Sequence, residues 1–265
     1  MAPYYPIMGT RPTEGATRRP TEGTAVRRPI MVVGGGAFFF DRDRGPLEEY
    51  WLDLARVARG RPAPRVCYIG TASGDDEAIT ANFHRVFEDV AETSDLALFD
   101  RTVEDIPSFL RAQDAVFVGG GNTASLLAVW RAHGVDVALR AAHQAGVVLA
   151  GRSAGGLCWF EGGTTDSFGP RLAPLLGGLA LIPGSHCPHY DGEPERRPTY
   201  HALIGSGALP SGIAVDDHAA AVFDGSSLVE VVAAREGAAA YRVERSEDGI
   251  IESTLPARPL VVAPV

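Results

Sequence analysis

Short apolar runs alternate with amphipathic stretches from residue 29 to residue 150. The apolar runs end in glycine or polar residues, which is typical of buried strands in a parallel sheet. The stretches between them place apolar residues at helical spacing, as Leu47, Trp51 and Leu54 do. Strands are predicted at 29–33, 65–70, 96–99, 114–118 and 147–150, and helices at 46–59, 77–91, 106–111, from about 123, and at 135–144. Such alternation with short loops predicts a three-layer α/β fold, a mostly parallel sheet with helices on both faces.

The pattern changes after residue 160. Residues 161–188 are rich in Gly and Pro, with one weak predicted strand at 179–182. Short alternating strands follow, and we expect them to be antiparallel. They are predicted at 213–215, 219–223, 228–233 and 239–243. Because no linker interrupts this part of the chain, we predict one domain over 29–265.

The first 28 residues have a different composition. They are rich in Pro, Thr, Gly and Arg, and the sequence Arg-Pro-Thr-Glu-Gly occurs at 11–15 and again at 19–23. Such a segment buries too little apolar surface to offset the entropy of ordering. We therefore predict a disordered tail over 1–28.

Composition narrows the function classes. The net charge of −9 argues against nucleic-acid and membrane-surface partners. No apolar run approaches the roughly 20 residues that span a bilayer, and the first residues lack a basic segment followed by an apolar one. Neither a membrane span nor a secretory signal is therefore expected. Three unclustered cysteines, Cys67, Cys158 and Cys187, suit a reducing compartment, so a cytoplasmic location is expected.

One stretch combines a buried strand with a catalytic pattern. The apolar run at 147–150 leads directly into Gly151-Arg152-Ser153-Ala154-Gly155. A serine at a sharp strand-to-helix turn has small neighbours, because the backbone folds back on itself, and its hydroxyl is exposed at the sheet edge. This predicts a nucleophile elbow. The alternative is a serine that merely caps an ordinary helix.

Two glycine runs follow predicted strands. The run Gly119-Gly120-Gly121 precedes Asn122 and Thr123, and a backbone N–H from it would face that of Ala154 across the elbow. Two such donors would stabilise the oxyanion of a tetrahedral intermediate. A tight turn with an Asn cap is the compatible alternative. The run at 34–36 does not fit a dinucleotide or phosphate-loop pattern, so it predicts a close-approach loop at the ligand-binding edge of the sheet.

A serine nucleophile needs a base and an orienting acid. His189 lies in a short loop after a predicted strand end and is the favoured base, with His186 second. A metal site built from His186, Cys187, His189 and Asp191 is disfavoured because the spacing lacks a second ligand pair. Asp166, in a turn-rich loop after the elbow, is the candidate acid, although an Asp in such a loop is more often a turn residue than a triad member.

Together these motifs resemble the S51 serine peptidases, the family of peptidase E (aspartyl dipeptidase) and the cyanophycinases. The resemblance rests on Gly-x-Ser-Ala-Gly at 151–155, Gly-Gly-Gly-Asn-Thr at 119–123, Thr-Asp at 165–166 and Pro-His-Tyr at 188–190. It implies a class I glutamine amidotransferase-like, flavodoxin-like fold. It also implies Ser153 as nucleophile, His189 as base, Asp166 as orienting acid, and the backbone N–H groups of Gly121 and Ala154 as oxyanion donors.

The expected activity is hydrolysis of small peptides, among them dipeptides with an N-terminal Asp, through an acyl-enzyme and without cofactor or metal. This chain departs from the resemblance at Arg152, because the aspartyl dipeptidases have an aromatic residue directly before the nucleophile. Arg152, Arg171 and Asn122 are candidate substrate contacts, because an arginine binds a carboxylate with two hydrogen bonds. A β-aspartyl-arginine hydrolase and a non-catalytic binding protein are the alternatives. The expected partner is a small peptide, and a homodimer is left open.

Overall fold

Strands and helices alternate along the first half of the chain. The computed structural model describes residues 28–36, 38–39 and 44–260. Its first ten elements are β1 (Pro29–Val33), α1 (Pro46–Arg59), β2 (Arg65–Ile69), α2 (Glu77–Phe87), β3 (Glu92–Asp95), α3 (Ile106–Arg111), β4 (Ala115–Val118), α4 (Thr123–His133), α5 (Val135–Gln144) and β5 (Val148–Arg152). The predicted tail, apart from residue 28, lies outside the described residues.

The second half is mostly strand. Its elements are α6 (Ala154–Leu157), β6 (Phe160–Thr165), β7 (Ala173–Leu176), β8 (Ile182–Cys187), α7 (Arg196–Gly205), β9 (Gly212–Val215), β10 (Ala219–Asp224), β11 (Ser227–Ala233), β12 (Ala240–Ser246), β13 (Gly249–Leu255) and β14 (Arg258–Pro259). The helix α7 and the strands β6, β7 and β13 were not predicted from the sequence.

An eight-stranded sheet forms the centre of the fold. Its order is β14-β11-β10-β1-β5-β4-β2-β3. The five strands from β1 to β3 in that order are parallel, whereas β10 and β11 join one edge in antiparallel fashion. The mixed α/β fold predicted from the apolar pattern is confirmed. The carboxyl ends of β1, β4 and β5 meet at one edge of this sheet, which is where open α/β sheets bind ligands.

Side chains of the central strands alternate between two hydrophobic clusters, as the two-residue period of a strand requires. On β1, Ile30 and Val32 lie in one cluster and Met31 and Val33 in the other. The helices α1 and α2 bury their apolar faces in the second of these clusters, and α3, α4 and α5 in the first. The sheet is thus covered on both sides.

A second sheet of six strands packs on the side of α3, α4 and α5. Its order is β13-β12-β9-β8-β6-β7. Apolar residues of this sheet share one cluster with the central strands, among them Phe160, Leu175, Ile182 and Ile213. The expected antiparallel pairing holds for β9 with β12, and for β10 with β11 in the central sheet. By contrast, β6, β8 and β9 pair in parallel. The helix α7 packs on the opposite face of this sheet through Tyr200 and Ile204.

The strand predicted at 96–99 is wrong, because β3 ends at Asp95. Leu96 and Leu98 are buried, yet they lie where the chain has left the sheet. There the backbone N–H groups of Leu98 and Phe99 donate to the carboxylate of Asp75 instead of to a strand. The apolar run at 96–99 therefore contains core residues that follow the strand and do not belong to it. In the described part of the chain, no helix is long and apolar enough to cross a membrane.

Candidate active site

Ser153 lies between β5 and the single turn of α6, in a backbone conformation that residues other than glycine rarely adopt. Its φ is 54° and its ψ is −115°. The backbone N–H of Ser153 donates to the carbonyl of Val33 at 3.1 Å, which fixes the turn against β1. Backbone strain of this kind persists only where the surrounding structure imposes it, and it is frequent at active sites.

The two glycines of the elbow are required by close approach of the backbone. A Cβ on Gly151 would lie 2.0 Å from the carbonyl O of Gly155, and a Cβ on Gly155 would lie 2.1 Å from that of Val118. Neither position has room for a side chain, because backbone atoms cannot move aside cheaply. The Gly-x-Ser-x-Gly pattern is therefore a packing requirement of the turn that exposes Ser153.

His189 faces the nucleophile from the second sheet. It follows β8 by two residues, and its Nε2 lies 2.9 Å from Oγ of Ser153. Its backbone has a φ of 53°, and its N–H donates to the carbonyl of Gly34 at 3.3 Å. The strand end and this backbone bond aim the imidazole at Ser153. The role of His189 as the base stays a prediction.

Asp217, and not the predicted Asp166, is the carboxylate that contacts His189. The distance from Nδ1 of His189 to Oδ1 of Asp217 is 2.8 Å. A carboxylate can only accept this bond, so Nδ1 carries the proton and Nε2 is left to accept from the hydroxyl of Ser153. Ser153, His189 and Asp217 thus form one continuous hydrogen-bonded chain.

The assignment of Asp166 as the acid is corrected by its position. Asp166 is exposed in the turn after β6, where its carbonyl accepts the N–H of Gly169 at 3.1 Å. The next residue, Ser167, is bound at the start of α4, which holds this loop beside the helix and leaves Asp166 outside. The turn role that sequence reasoning left open for Asp166 is the one observed.

The signal for Asp217 was present in the sequence but weak. Asp216 and Asp217 directly follow the predicted strand at 213–215, at the edge where ligands bind. Asp216 does not compete for His189, because its Oδ2 accepts from the N–H of Ala239 at 3.0 Å and from the hydroxyl of Tyr241 at 3.3 Å. Burial raises the pKa of Asp216 above its usual range.

The first glycine run forms the surface on which the imidazole and the carboxylate rest. A Cβ on Gly35 would lie 2.0 Å from Oδ1 of Asp217 and 2.2 Å from Nδ1 of His189. A Cβ on Gly36 would lie 2.7 Å from the ring of His218. This loop is the close approach that its sequence predicted.

Electrostatics favour an ionised Asp217. The hydrogen bond from His189 holds the pKa of Asp217 below its usual range, although partial burial opposes this shift. The positive charge of Arg152 acts in the same direction as the hydrogen bond. An ionised carboxylate at this position stabilises the imidazolium that forms when His189 takes a proton.

The second glycine run lies beside the nucleophile. A Cβ on Gly120 would lie 3.4 Å from Cβ of Ser153, so the loop and the elbow are in contact. Gly121 has a φ of +139° and packs on the carbonyl of Ala72, where a Cβ would come within 2.2 Å. Ala154 is the first residue of α6, and the N–H at such a position has no partner within its helix. Gly121 and Ala154 stay predicted donors.

Arg152 lies between the two glycine runs. Its Nη1 donates to the carbonyl of Gly36 at 2.7 Å, and its Nη2 would lie 3.3 Å from a Cβ on Gly120. The guanidinium is therefore next to the nucleophile. Its contact with a substrate stays a prediction.

The other two predicted substrate contacts are placed differently. Asn122 caps α4, because its Oδ1 accepts the N–H of Ser125 at 2.9 Å, and its Nδ2 donates to the carbonyl of Ser167 at 3.0 Å. Both polar atoms thus have partners within the protein, which favours the cap over a substrate contact. Arg171 is exposed in the loop before β7.

His186, the second candidate base, is buried on β8. Its Nδ1 lies 2.9 Å from the carbonyl of Ile213, and its ring stacks on Phe160 at 5.0 Å between centroids. Burial lowers the pKa of His186 to about 3, so the ring is neutral. Among the described residues, no group of three or more His, Cys, Asp or Glu side chains is placed to hold a metal ion.

Comparison with known proteins gives the family of this chain. The family model of Peptidase family S51 matches residues 30–231. This chain belongs to peptidase family S51. As an S51 peptidase it is a hydrolase of peptide bonds, as the motif resemblance implied.

The S51 peptidase has a relative in Bacillus subtilis (strain 168), the uncharacterized peptidase YgaJ. The two are 44% identical over 232 residues, which cover 87% of this chain and 98% of the relative. This similarity extends over nearly the whole of the relative, so the elements around Ser153 and His189 lie within the matched region.

Two solved structures share the fold of the S51 peptidase. A peptidase from an acI-B1 Actinobacterium matches with a TM-score of 0.62 at 17% identity, over 86% of this chain and 94% of that one. A putative peptidase E protein from Listeria monocytogenes EGD-e matches with a TM-score of 0.55 at 19% identity, over 78% of this chain and 98% of that one. These likenesses concern the fold alone.

Proposed function

We propose that this chain is a serine peptidase that cleaves small peptides with Ser153 as nucleophile, His189 as general base and Asp217 as orienting acid. The observation that carries the proposal is the pair of hydrogen bonds that join the three side chains, at 2.9 Å and 2.8 Å. A nucleophile, a base and an orienting group within hydrogen-bond reach are the signature of covalent acyl transfer.

In the first step, Oγ of Ser153 attacks the carbonyl carbon of the scissile bond. His189 takes the hydroxyl proton at Nε2 and becomes an imidazolium. Asp217 stays ionised and accepts the hydrogen bond of Nδ1, so the positive charge is stabilised where it forms. The predicted donors at Ala154 and Gly121 bind the oxyanion of the tetrahedral intermediate, and each such donor contributes roughly 3 kcal/mol to stabilising it.

The intermediate then collapses. The C–N bond breaks, His189 returns its proton to the leaving amine, and an ester links the acyl group to Ser153. A water molecule attacks this ester with His189 again as base, and the acid product leaves with Ser153 restored. The cycle consumes one water per peptide bond.

A small acidic peptide is the proposed substrate. The motifs resemble those of the aspartyl dipeptidases, and the guanidinium of Arg152 lies beside Ser153, between the glycine runs. A cation at this position suits a carboxylate of the substrate, because a guanidinium and a carboxylate form short, charge-assisted hydrogen bonds.

A panel of dipeptides tests this proposal. We would compare Asp-X with Glu-X, Ala-X, β-Asp-X and N-blocked forms, with Ser153→Ala measured beside the wild type. We expect cleavage of Asp-X that Ser153→Ala abolishes without loss of folding. Cleavage by Ser153→Ala at the wild-type rate would refute the nucleophile. Cleavage confined to β-Asp-X or to Ala-X would keep the nucleophile but refute the α-aspartyl preference.

A further inference from the structure

Asp191 lies two residues beyond His189, and its carboxylate reaches the neighbouring loop. Its Oδ1 accepts a hydrogen bond from the backbone N–H of Asp217 at 2.8 Å. Its Oδ2 pairs with the guanidinium of Arg235. Asp191 therefore links the loop that carries the imidazole to the loop that carries the carboxylate.

Arg235, two residues after β11, binds the backbone of Asp217 at its carbonyl. Besides its ion pair with Asp191, its Nη2 donates to the carbonyl O of Asp217 at 3.1 Å. The backbone N–H and C=O of Asp217 are thus both bound by charged side chains. The carboxylate of Asp217 is left to face His189.

We propose that Asp191 and Arg235 are positioning residues, which fix Asp217 at hydrogen-bonding distance from His189. The inference rests on the proposed function, since it concerns the acid of the same catalytic chain. Neither residue is assigned to the chemistry itself, because in the described part of the chain neither makes a hydrogen bond to the ring of His189 or to Ser153.

The backbone around Asp217 explains why such positioning is needed. His189 has a φ of 53° and His218, the next residue after Asp217, has a φ of 65°. Residues other than glycine keep such angles only where several contacts impose them. Backbone bonds supply part of this constraint, among them the one from the N–H of Tyr190 to the carbonyl of Val215 at 3.2 Å. The Asp191–Arg235 pair supplies the contacts to Asp217 itself.

The pair is too exposed to matter much for the stability of the whole fold. The side chains of Asp191 and Arg235 are 34% and 43% exposed. Exposed ion pairs contribute little to folding, whereas a shift of about 1 Å in a catalytic group can cost about 100-fold in rate. A positioning role therefore predicts a loss of reactivity without a matching loss of stability.

The test measures the reactivity of Ser153 directly with a fluorescent fluorophosphonate, which needs no knowledge of the substrate. We would compare the labelling rates and thermal unfolding midpoints of Asp191→Ala, Asp191→Asn and Arg235→Gln with the wild type. Arg65→Ala is the matched control, because it removes an exposed pair with Glu92 at the far end of β2.

Asp191→Ala should slow labelling about 10- to 100-fold, with an unfolding midpoint close to that of Arg65→Ala. Asp191→Asn keeps an oxygen that accepts the N–H of Asp217, so it should recover most of the lost rate. Arg235→Gln should be labelled at a rate between those of the wild type and Asp191→Ala. This variant also tests the inference if Asp191→Ala does not fold.

Two results would overturn the inference alone. One is wild-type labelling of both Asp191→Ala and Arg235→Gln. The other is an equal loss of labelling rate in Asp191→Ala and Asp191→Asn, together with an equal decrease of their unfolding midpoints. Such a result would indicate a structural role. Ser153→Ala in the same assay separates the proposed function. If that variant is still labelled at the wild-type rate, the nucleophile assignment falls, and the positioning inference falls with it.

Discussion

The imidazole of His189 lies 2.8 Å from the carboxylate of Asp217, although 28 residues separate them in the chain. The contact exists because β8 and β9 are parallel neighbours in the second sheet, with His186 paired to Ile213 and Cys187 to Ala214. Both strands end at the same edge, and each loop delivers its catalytic group two residues later.

This contact predicts different outcomes for two neutral substitutions. Asp217→Asn places an amide against Nδ1, which favours the wrong imidazole tautomer and leaves the imidazolium without its counter-charge. In a Ser-His-Asp triad the same change costs about 10⁴ in kcat, and we expect a comparable loss here. Asp166→Asn should leave kcat close to that of the wild type, because Asp166 is exposed in the turn after β6.

Steady-state kinetics on a peptide that the wild type cleaves would distinguish the two variants. The kcat of each variant should be compared at saturating substrate, with circular dichroism to confirm folding. A large loss in Asp166→Asn, or a mild effect of Asp217→Asn, would return the acid role to Asp166.

Gly35 predicts a second, purely steric effect. In Gly35→Ala the new Cβ would meet Oδ1 of Asp217 at 2.0 Å and Nδ1 of His189 at 2.2 Å. These atoms must move apart, so the hydrogen bond between them breaks. We expect a loss of kcat of about 100-fold or more, the order found when catalytic groups shift by about 1 Å.

Gly205→Ala is the control for that experiment. Gly205 lies at the end of α7, and a Cβ there would meet its nearest neighbour at an ordinary 3.7 Å. Its activity should equal that of the wild type. If Gly35→Ala is as active as Gly205→Ala, the two loops are free to separate without loss, and the geometry around Asp217 is not decisive for catalysis.

The first half of the fold and the nucleophile were predictable because their signals are local. Each central strand is a short apolar run, and the elbow of Ser153 carries its own glycine pattern. The second sheet was not predictable in this way. Strand β8 contains the buried polar residues Ser185 and His186. Their hydrogen-bond partners, Tyr200 and Ile213, lie on other elements and are distant in sequence.

Asp217 was missed for the same reason. Its partner is set by the pairing of β8 with β9, which depends on residues far apart in the chain. From the sequence, Asp216 and Asp217 are adjacent and equivalent, and Asp166 is nearer to the elbow. Only the strand pairing shows that Asp217 accepts a hydrogen bond from His189, whereas Asp216 accepts one from Tyr241.

The buried ring of His186 predicts a pH dependence of stability. Its pKa is about 3 in the folded protein, because burial disfavours the charged form, and about 6.5 in an unfolded chain. Below pH ~6.5 the unfolded chain binds a proton that the folded protein excludes. As the pH drops below this value, the free energy of unfolding therefore decreases, by up to about 1.4 kcal/mol per pH unit. Above this value the contribution of His186 is constant.

The effect is measured by comparing the wild type with His186→Gln, which does not titrate. Urea denaturation at about pH 7.5 and about pH 5 should show the wild type losing about 2 kcal/mol more than this variant between the two conditions. His133→Gln, at the end of α4, is the control and should follow the wild type. Equal losses in wild type and His186→Gln would show that His186 gains a proton in the folded protein.

The backbone of Ser153 predicts that the nucleophile carries a stability cost. A non-glycine residue in so strained a conformation costs about 1 to 3 kcal/mol, and Ser153→Ala keeps that strain because alanine also has a Cβ. Ser153→Gly relieves it, at an entropic cost of about 0.5 to 1 kcal/mol for the more flexible unfolded chain. Both variants lose the hydrogen bond to His189, so that loss cancels in their comparison. Ser153→Gly should therefore be about 1 kcal/mol more stable than Ser153→Ala in urea denaturation at neutral pH. A Ser153→Ala variant that equals or exceeds Ser153→Gly in stability would show that the turn is not strained.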